Sequence, residues 1–237
     1  MRVHCEWGLH GMERLRDRVA LFVIVDVLSF STAVDIATGR GARIYPFAHE
    51  DGPNAAGQAE SYAARHGALL ARPRRAAGGQ FSLSPASLMR LTPGTALMLP
   101  SPNGSRLSLA ASGYPLFTGC LRNAGAVANA ARHAAAGGDI AIVPAGERWP
   151  DGSLRPAIED WLGAGAIIAA LGLPCSAEAE TARLAFEAAR PDLARLIRAS
   201  TSGQDLIESG FADDVEIAVA LDASSGAPQL RDGAYRL

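Results

Sequence analysis

Residues 19–28, VALFVIVDVL, form a continuous run of β-branched and aliphatic side chains broken only by Asp26. Such a run suits a central strand covered by helices on both faces. It passes into a Ser/Thr-rich stretch, SFSTAVDIATGRGA, that predicts a short helix stopped by Gly39 and Gly41. The alternation then repeats. ARIYPFA reads as a second strand, GPNAAGQAESYAARHG as an Ala-rich helix ending at Gly67, and GALLA as a short strand. Further along, TALMLP, YPLFTG and DIAIVPA read as strands, with NGSRLSLAAS and LRNAGAVANAARHAAA as the helices between them.

Residues 72–94, with four glycines and prolines before the short SLMRL helix candidate at 87–91 and Pro93-Gly94 after it, read as a surface excursion. A helix is expected at 156–171, where Pro156 and early acids match helix N-terminal preferences. The C-terminal third predicts helices near 176–189, 191–199 and 203–209, a final strand DVEIAVAL, and a surface tail, DASSGAPQLRDGAYRL. The fold class that follows is α/β, three layers with a mostly parallel or mixed sheet, in a single domain without a visible linker.

The function classes narrow on composition. No apolar run approaches the ~20 residues of a membrane helix, so no membrane span is expected. The N-terminus, MRVHCEWGLHGMERL, lacks a signal-peptide pattern, so cytoplasm is the expected location. A net charge of −2 leaves no footprint for nucleic acid, and a small ligand is the expected partner. The one basic cluster, Arg72-Pro73-Arg74-Arg75, reads first as solvated surface and second as an anion attractor. The three cysteines are too scattered for a disulfide framework, and the five histidines form no HxH or HExxH pair. GxSxG, GxxxxGK[ST] and GxGxxG are all missing, which weakens triad, triphosphatase and nicotinamide chemistry.

Candidate chemistry gathers where strands end. Asp26 closes the central strand, where ligands of α/β sheets bind; its carboxylate can hold a cation, act as nucleophile or base, or simply cap the next helix. Ser101-Pro102-Asn103-Gly104-Ser105-Arg106 follows another strand and opens a helix, so backbone N–H groups, the Ser105 hydroxyl and Arg106 can meet an oxyanion. Arg122 and Asn123 repeat that arrangement after a third strand, although Asn123 also serves as an ordinary cap. Gly146, Glu147, Glu159 and Asp160 bring acids toward one sheet edge, and hard magnesium prefers such oxygen ligands.

Taken in order, VDVLSFSTAV, PNGSR, GCLRNAGAVA, PAGE and IEDWLGAGAII resemble the 2-phosphosulfolactate phosphatase family, with its D-V-L-R-A-T-T strand end, T-N-G-T-R, G-x-x-x-N-A-x-A-V-A, A-G and E-D-x-x-x-A-G-A-I elements. The resemblance spans most of residues 20–222. It implies a magnesium-dependent phosphatase acting in coenzyme M biosynthesis, converting 2-phosphosulfolactate to 3-sulfolactate and phosphate. On that pattern Asp26, Arg106, Glu159 and Asp160 would be catalytic. Ser29, Asn103, Gly104, Ser105, Arg122, Asn123 and Gly146 would bind substrate, and Asp26, Glu147 and Glu159 would hold magnesium. Ser29 stands where family members carry Arg, and GGQFSLSPASL at 78–88 departs from an acidic segment, so a substrate contact is expected to differ. A phosphatase for another small phosphoester, or a non-catalytic anion-binding homologue, stays open, as does a homodimer.

Overall fold

The computed structural model describes residues 1–48, 55–76, 78 and 80–237; His49 and the start of the second expected helix lie outside them. In chain order the elements are β1 (Val3–Cys5), α1 (Gly8–Leu15), β2 (Leu21–Val25), α2 (Phe30–Gly39), β3 (Arg43–Phe47), α3 (Ala55–Arg65), β4 (Leu69–Leu70), α4 (Pro85–Leu88), β5 (Ala96–Pro100), α5 (Gly104–Ala110) and β6 (Leu116–Gly119). There follow α6 (Ala124–Ala134), β7 (Ile140–Pro144), a small ribbon of β8 (Glu147–Arg148) and β9 (Leu154–Arg155), then α7 (Ile158–Leu171), α8 (Ala177–Ala189), α9 (Leu193–Arg198), α10 (Thr201–Glu208), α11 (Ala212–Ala218), β10 (Gln229–Arg231) and β11 (Ala234–Arg236).

The main sheet has the order β1-β7-β2-β6-β10-β11-β3-β5-β4. Two parallel groups, β1-β7-β2-β6 and β3-β5-β4, are joined by the antiparallel hairpin β10–β11. The central run is covered on both faces, as the α/β reading requires. Phe22 and Ile24 pack inward with α2 and with Ile44, Leu97 and Leu99 of the second group. Leu21, Val23 and Val25 pack the other way, against α6, α7 and α8. Tyr45 and Met98 face a smaller cluster under α3. The mixed, mostly parallel sheet between helical layers is the expected three-layer class.

This sheet curls. β2 and β5 stand five places apart, which would separate them by roughly 24 Å in a flat sheet at ~4.8 Å per strand. Yet the Gly104 N–H beyond β5 lies 2.9 Å from an Asp26 carboxylate oxygen beyond β2. The bend falls at the hairpin, which is tied to each group by a single register pair, Gln229 with Phe117 and Tyr235 with Ile44.

Two expectations are corrected and one unassigned segment is placed. The C-terminal tail is no surface tail: its last residues form β10–β11 in the middle of the sheet, with Tyr235 fully buried and its hydroxyl 2.8 Å from Ser108 Oγ. DVEIAVAL is α11, not a strand. Its Val-Ile-Val alternation mimics a strand, but Val215 and Ala218 are the buried pair, three apart on one helical face, and the buried Asp214 accepts from Ser84 Oγ at 2.6 Å and Ala86 N at 3.2 Å. The N-terminal Val3–Cys5, unassigned from sequence, is an edge strand beside β7.

Candidate active site

Asp26 leaves the end of β2 and turns back into the curl. Its Oδ1 accepts from Phe30 N at 3.0 Å and its Oδ2 from Gly104 N at 2.9 Å, while its own N–H donates to Ser31 Oγ at 2.9 Å. The side chain is buried. Burial pushes the carboxyl up to about 6, against the opposing pull of those two N–H groups and of Arg74, with Glu159 adding repulsion. The Asn-Gly turn expected to greet a phosphate thus holds the protein's own carboxylate. Gly104 is required there, because a Cβ would run into the Phe30 ring.

Three further acids surround Asp26. Asp160, in the first turn of α7, accepts from Val27 N at 2.7 Å and from Gly146 N at 2.8 Å, so it ties the loops after β2 and β7 together. Burial, then Asp26 and Glu159, raise its carboxyl well above the ordinary range. Gly146 sits at φ +67°, and a Cβ on it would press to 2.7 Å from Leu154 and 2.9 Å from the Arg155 carbonyl. Glu147 follows it and accepts from Asn103 Nδ2 at 2.9 Å; burial and then Asp26 push it up to about 7. Glu159 is only 2% exposed, and among the described residues nothing donates a hydrogen bond to its carboxylate.

The expected site residues therefore divide. Asp26, Asn103, Gly104, Gly146, Glu147, Glu159 and Asp160 come together. Arg106 is exposed and lines a cleft of about 340 Å³ with Asn103, Glu147 and His10. Ser105, Arg122 and Asn123 are turned to internal bonds. Ser105 Oγ donates to the Leu99 carbonyl at 2.9 Å, and Arg122 pairs with the buried Asp35 at 3.0 Å and donates to the Ile217 carbonyl at 3.1 Å. Asn123 Oδ1 accepts from Cys120 N at 2.8 Å. The Cys120 thiol, pushed up to about 12 by burial, offers no nucleophile.

Arg74 belongs to the basic cluster read first as solvated surface and second as an anion attractor; its side chain is 18% exposed, and its guanidinium donates to Ser29 Oγ and, at 3.3 Å, to the Leu83 carbonyl. The guanidinium expected to be missing beside Ser29 is delivered from a different segment. The only sequence signal is an Arg between Pro73 and Arg75 in a loop long enough to border a site.

An all-oxygen donor set with mutual repulsion suits a hard divalent cation. No three His, Cys, Asp or Glu side chains among the described residues already enclose an ion. Magnesium does not demand that, since it keeps several waters and commonly takes one or two carboxylates plus substrate phosphate.

The raised carboxyls set a pH dependence. From about pH 4 to 7 the folded protein binds more protons than the unfolded chain, because Asp26 and Glu147 titrate near 6 and 7 instead of in the ordinary carboxylate range. Stability of metal-free protein is therefore expected to fall as pH rises through that window, by roughly 2–4 kcal/mol for Asp26 alone. Calorimetric Tm with chelator at pH 5.5 and 8 checks this; a higher Tm at pH 8 would contradict the burial of charge.

Residues 9–233 match the family model described as 2-phosphosulpholactate phosphatase. The chain is 33% identical over 219 residues to a 2-phosphosulfolactate phosphatase of Methanothermobacter thermautotrophicus, covering 92% of this chain and 89% of that one. It is 31% identical over 217 residues to a probable 2-phosphosulfolactate phosphatase of Carboxydothermus hydrogenoformans, covering 87% and 84%.

Proposed function

The chain belongs to the 2-phosphosulfolactate phosphatase family, and from that premise we propose that it is a phosphoric monoester hydrolase converting 2-phosphosulfolactate and water to 3-sulfolactate and phosphate. The observation that carries the chemistry is the group of four carboxylates, Asp26, Glu147, Glu159 and Asp160, held together where β2 and β7 end. We further propose magnesium as the resident cation, for which Asp26, Glu147 and Glu159 are the candidate carboxylates, one or two of them binding at a time; it would supply charge neutralisation at the phosphoryl oxygens.

The chain's own residues do the rest. Asp26, aimed by the Phe30 and Gly104 N–H groups, takes a proton of the attacking water as the new P–O bond forms; the ester P–O bond breaks and the departing alkoxide oxygen takes up a proton from water to leave as the hydroxyl of sulfolactate. Asn103 fixes the Glu147 carboxylate, and Asp160 locks the two loops whose ends carry these acids. Arg106, at the rim of the cleft, meets the acidic end of the substrate. By the same reading the enzyme works in the cytoplasm, in coenzyme M biosynthesis.

The test is phosphate release from 2-phosphosulfolactate and from a panel of small phosphorylated acids, with magnesium and with chelator. Release from 2-phosphosulfolactate that chelator abolishes and magnesium restores is the expected result. No release from any ester by folded protein would overturn the phosphatase reading. Ser29, which stands where the family pattern carries Arg and is met instead by Arg74, favours one second reading: the same hydrolysis on a different small phosphoester, read as faster release from an acid lacking the sulfonate.

A further inference from the structure

Arg74 is mostly covered and stands among acids. Its Nε lies 3.4 Å from Asp214 Oδ2, yet the approach is too oblique for a hydrogen bond, so both of these buried atoms lack one. Nothing among the described residues accepts from Nη1. Asp214 cannot move to improve the pair, because its other oxygen is held by Ser84 Oγ at 2.6 Å and Ala86 N at 3.2 Å. The Phe211 ring lies against the guanidinium, 5.6 Å from its carbon to the ring centroid. A planar cation is thus fixed in orientation, close enough to Asp26 and Glu147 to feel both, with hydrogen-bonding capacity left over.

A structural ion pair would not be built this way. Burying a guanidinium costs several kcal/mol unless its partner and its N–H bonds are well made, and here Nε meets its partner obliquely and both Nη1 N–H bonds are unspent. A ligand carrying clustered oxygens would complete them. Nη2 is taken by Ser29 and Leu83 and Nε faces Asp214, so Nη1 is the guanidinium nitrogen left to receive a phosphoryl oxygen in a charge-assisted contact. The site also needs positive charge opposite its carboxylates before a phosphate dianion can enter.

We propose that Arg74 is a substrate-binding residue whose guanidinium receives a phosphoryl oxygen of the ester, and that Asp214 is the positioning residue that aims it. This rests on the phosphatase reading for the identity of the ester, but the anion site itself does not need turnover.

Calorimetric titration of the whole chain with inorganic phosphate, in magnesium, tests it without any hydrolysis. Arg74→Gln is expected to weaken phosphate binding at least tenfold, Arg74→Lys several-fold, and Asp214→Asn two- to fivefold. In turnover, Asp214→Asn should raise KM with kcat held within about twofold, a split that mere loss of folded protein would not give. Wild-type phosphate affinity in folded Arg74→Gln overturns the proposal, as does a wild-type chain that binds no phosphate. If Arg74→Gln fails to fold, Arg74→Lys keeps the charge but lacks the planar guanidinium that reaches Ser29, Leu83 and the ligand at once, so wild-type phosphate affinity in that variant overturns the proposal equally. Phosphate held through Arg74 by a protein that hydrolyses no ester would sink the phosphatase reading alone. Normal hydrolysis with unchanged KM and phosphate affinity in Arg74→Gln would sink the Arg74 proposal alone.

Discussion

Asp26→Asn is expected to lower kcat for phosphoester hydrolysis by about 10³-fold, within the range that a positioned proton acceptor contributes. The substitution keeps volume and shape, so the loss isolates charge and basicity. Its structural cost is limited and can be traced. An amide oxygen still accepts from either Phe30 N or Gly104 N, but the amide nitrogen then faces the other donor, at about 1–3 kcal/mol. Removing a charge that burial disfavours offsets part of that cost. The Tm of the variant should therefore stay within several degrees of wild type while turnover collapses. Phosphate release at saturating substrate, beside a thermal scan, gives both numbers. A folded variant with kcat within threefold of wild type would remove Asp26 from the chemistry.

Much of this site can be read from the sequence, because its acids follow strand ends and strand ends are legible. VALFVIV announces β2 through its unbroken apolar run, and Asp26 comes with it. Glu147, Glu159 and Asp160 stand out as acids flanking a strand and opening a helix. What sequence cannot supply is direction. Gly104 N–H and Gly146 N–H both read as open to a ligand, and both are spent on carboxylates of the protein itself. Arg122 sits at a strand end as well as Arg106 does near another, yet it faces Asp35, an acid 87 positions earlier in α2. The Gly104 contact depends on the curl of the sheet and the Arg122 pairing on β2 and β6 lying side by side, and no local pattern encodes either.

The missed elements have the same origin. Asp232-Gly233 is one of the dipeptides favoured in a two-residue hairpin turn, and both residues adopt the positive φ such a turn needs, 49° and 79°. The strands it joins are three residues each, too short to show alternation, so the segment resembles a tail. Their place in the sheet is fixed by partners more than 100 residues away, Phe117 and Ile44. Arg74 is hidden differently. Its loop is polar and turn-rich like any surface loop, and what draws it inward lies far along the chain or in another loop: Ser29, the Leu83 carbonyl and the buried Asp214, on a helix whose sequence mimics a strand.

Glu159 and Asp160 adjoin in sequence, and their substitutions are expected to fail in opposite ways. Asp160 has both oxygens filled by backbone donors from two different loops. Asp160→Ala leaves two buried N–H groups without an acceptor, at about 1–3 kcal/mol each. For a chain of this size that is a fall in Tm of roughly 5–20 °C, and turnover drops because the loops carrying Asp26 and Glu147 lose their tie. Glu159 has no such bonds to lose, and its charge raises its neighbours' carboxyls. Glu159→Gln should therefore leave Tm in chelator unchanged or slightly higher. Its cost should appear with the cation: at least a tenfold higher magnesium concentration for half-maximal rate, and a kcat lower by about 10²-fold. Thermal scans in chelator and magnesium titrations of rate, run on both variants, separate the two roles. A Glu159→Gln protein that unfolds early but keeps wild-type magnesium dependence would make Glu159 a structural acid and return the cation to Asp26 and Glu147.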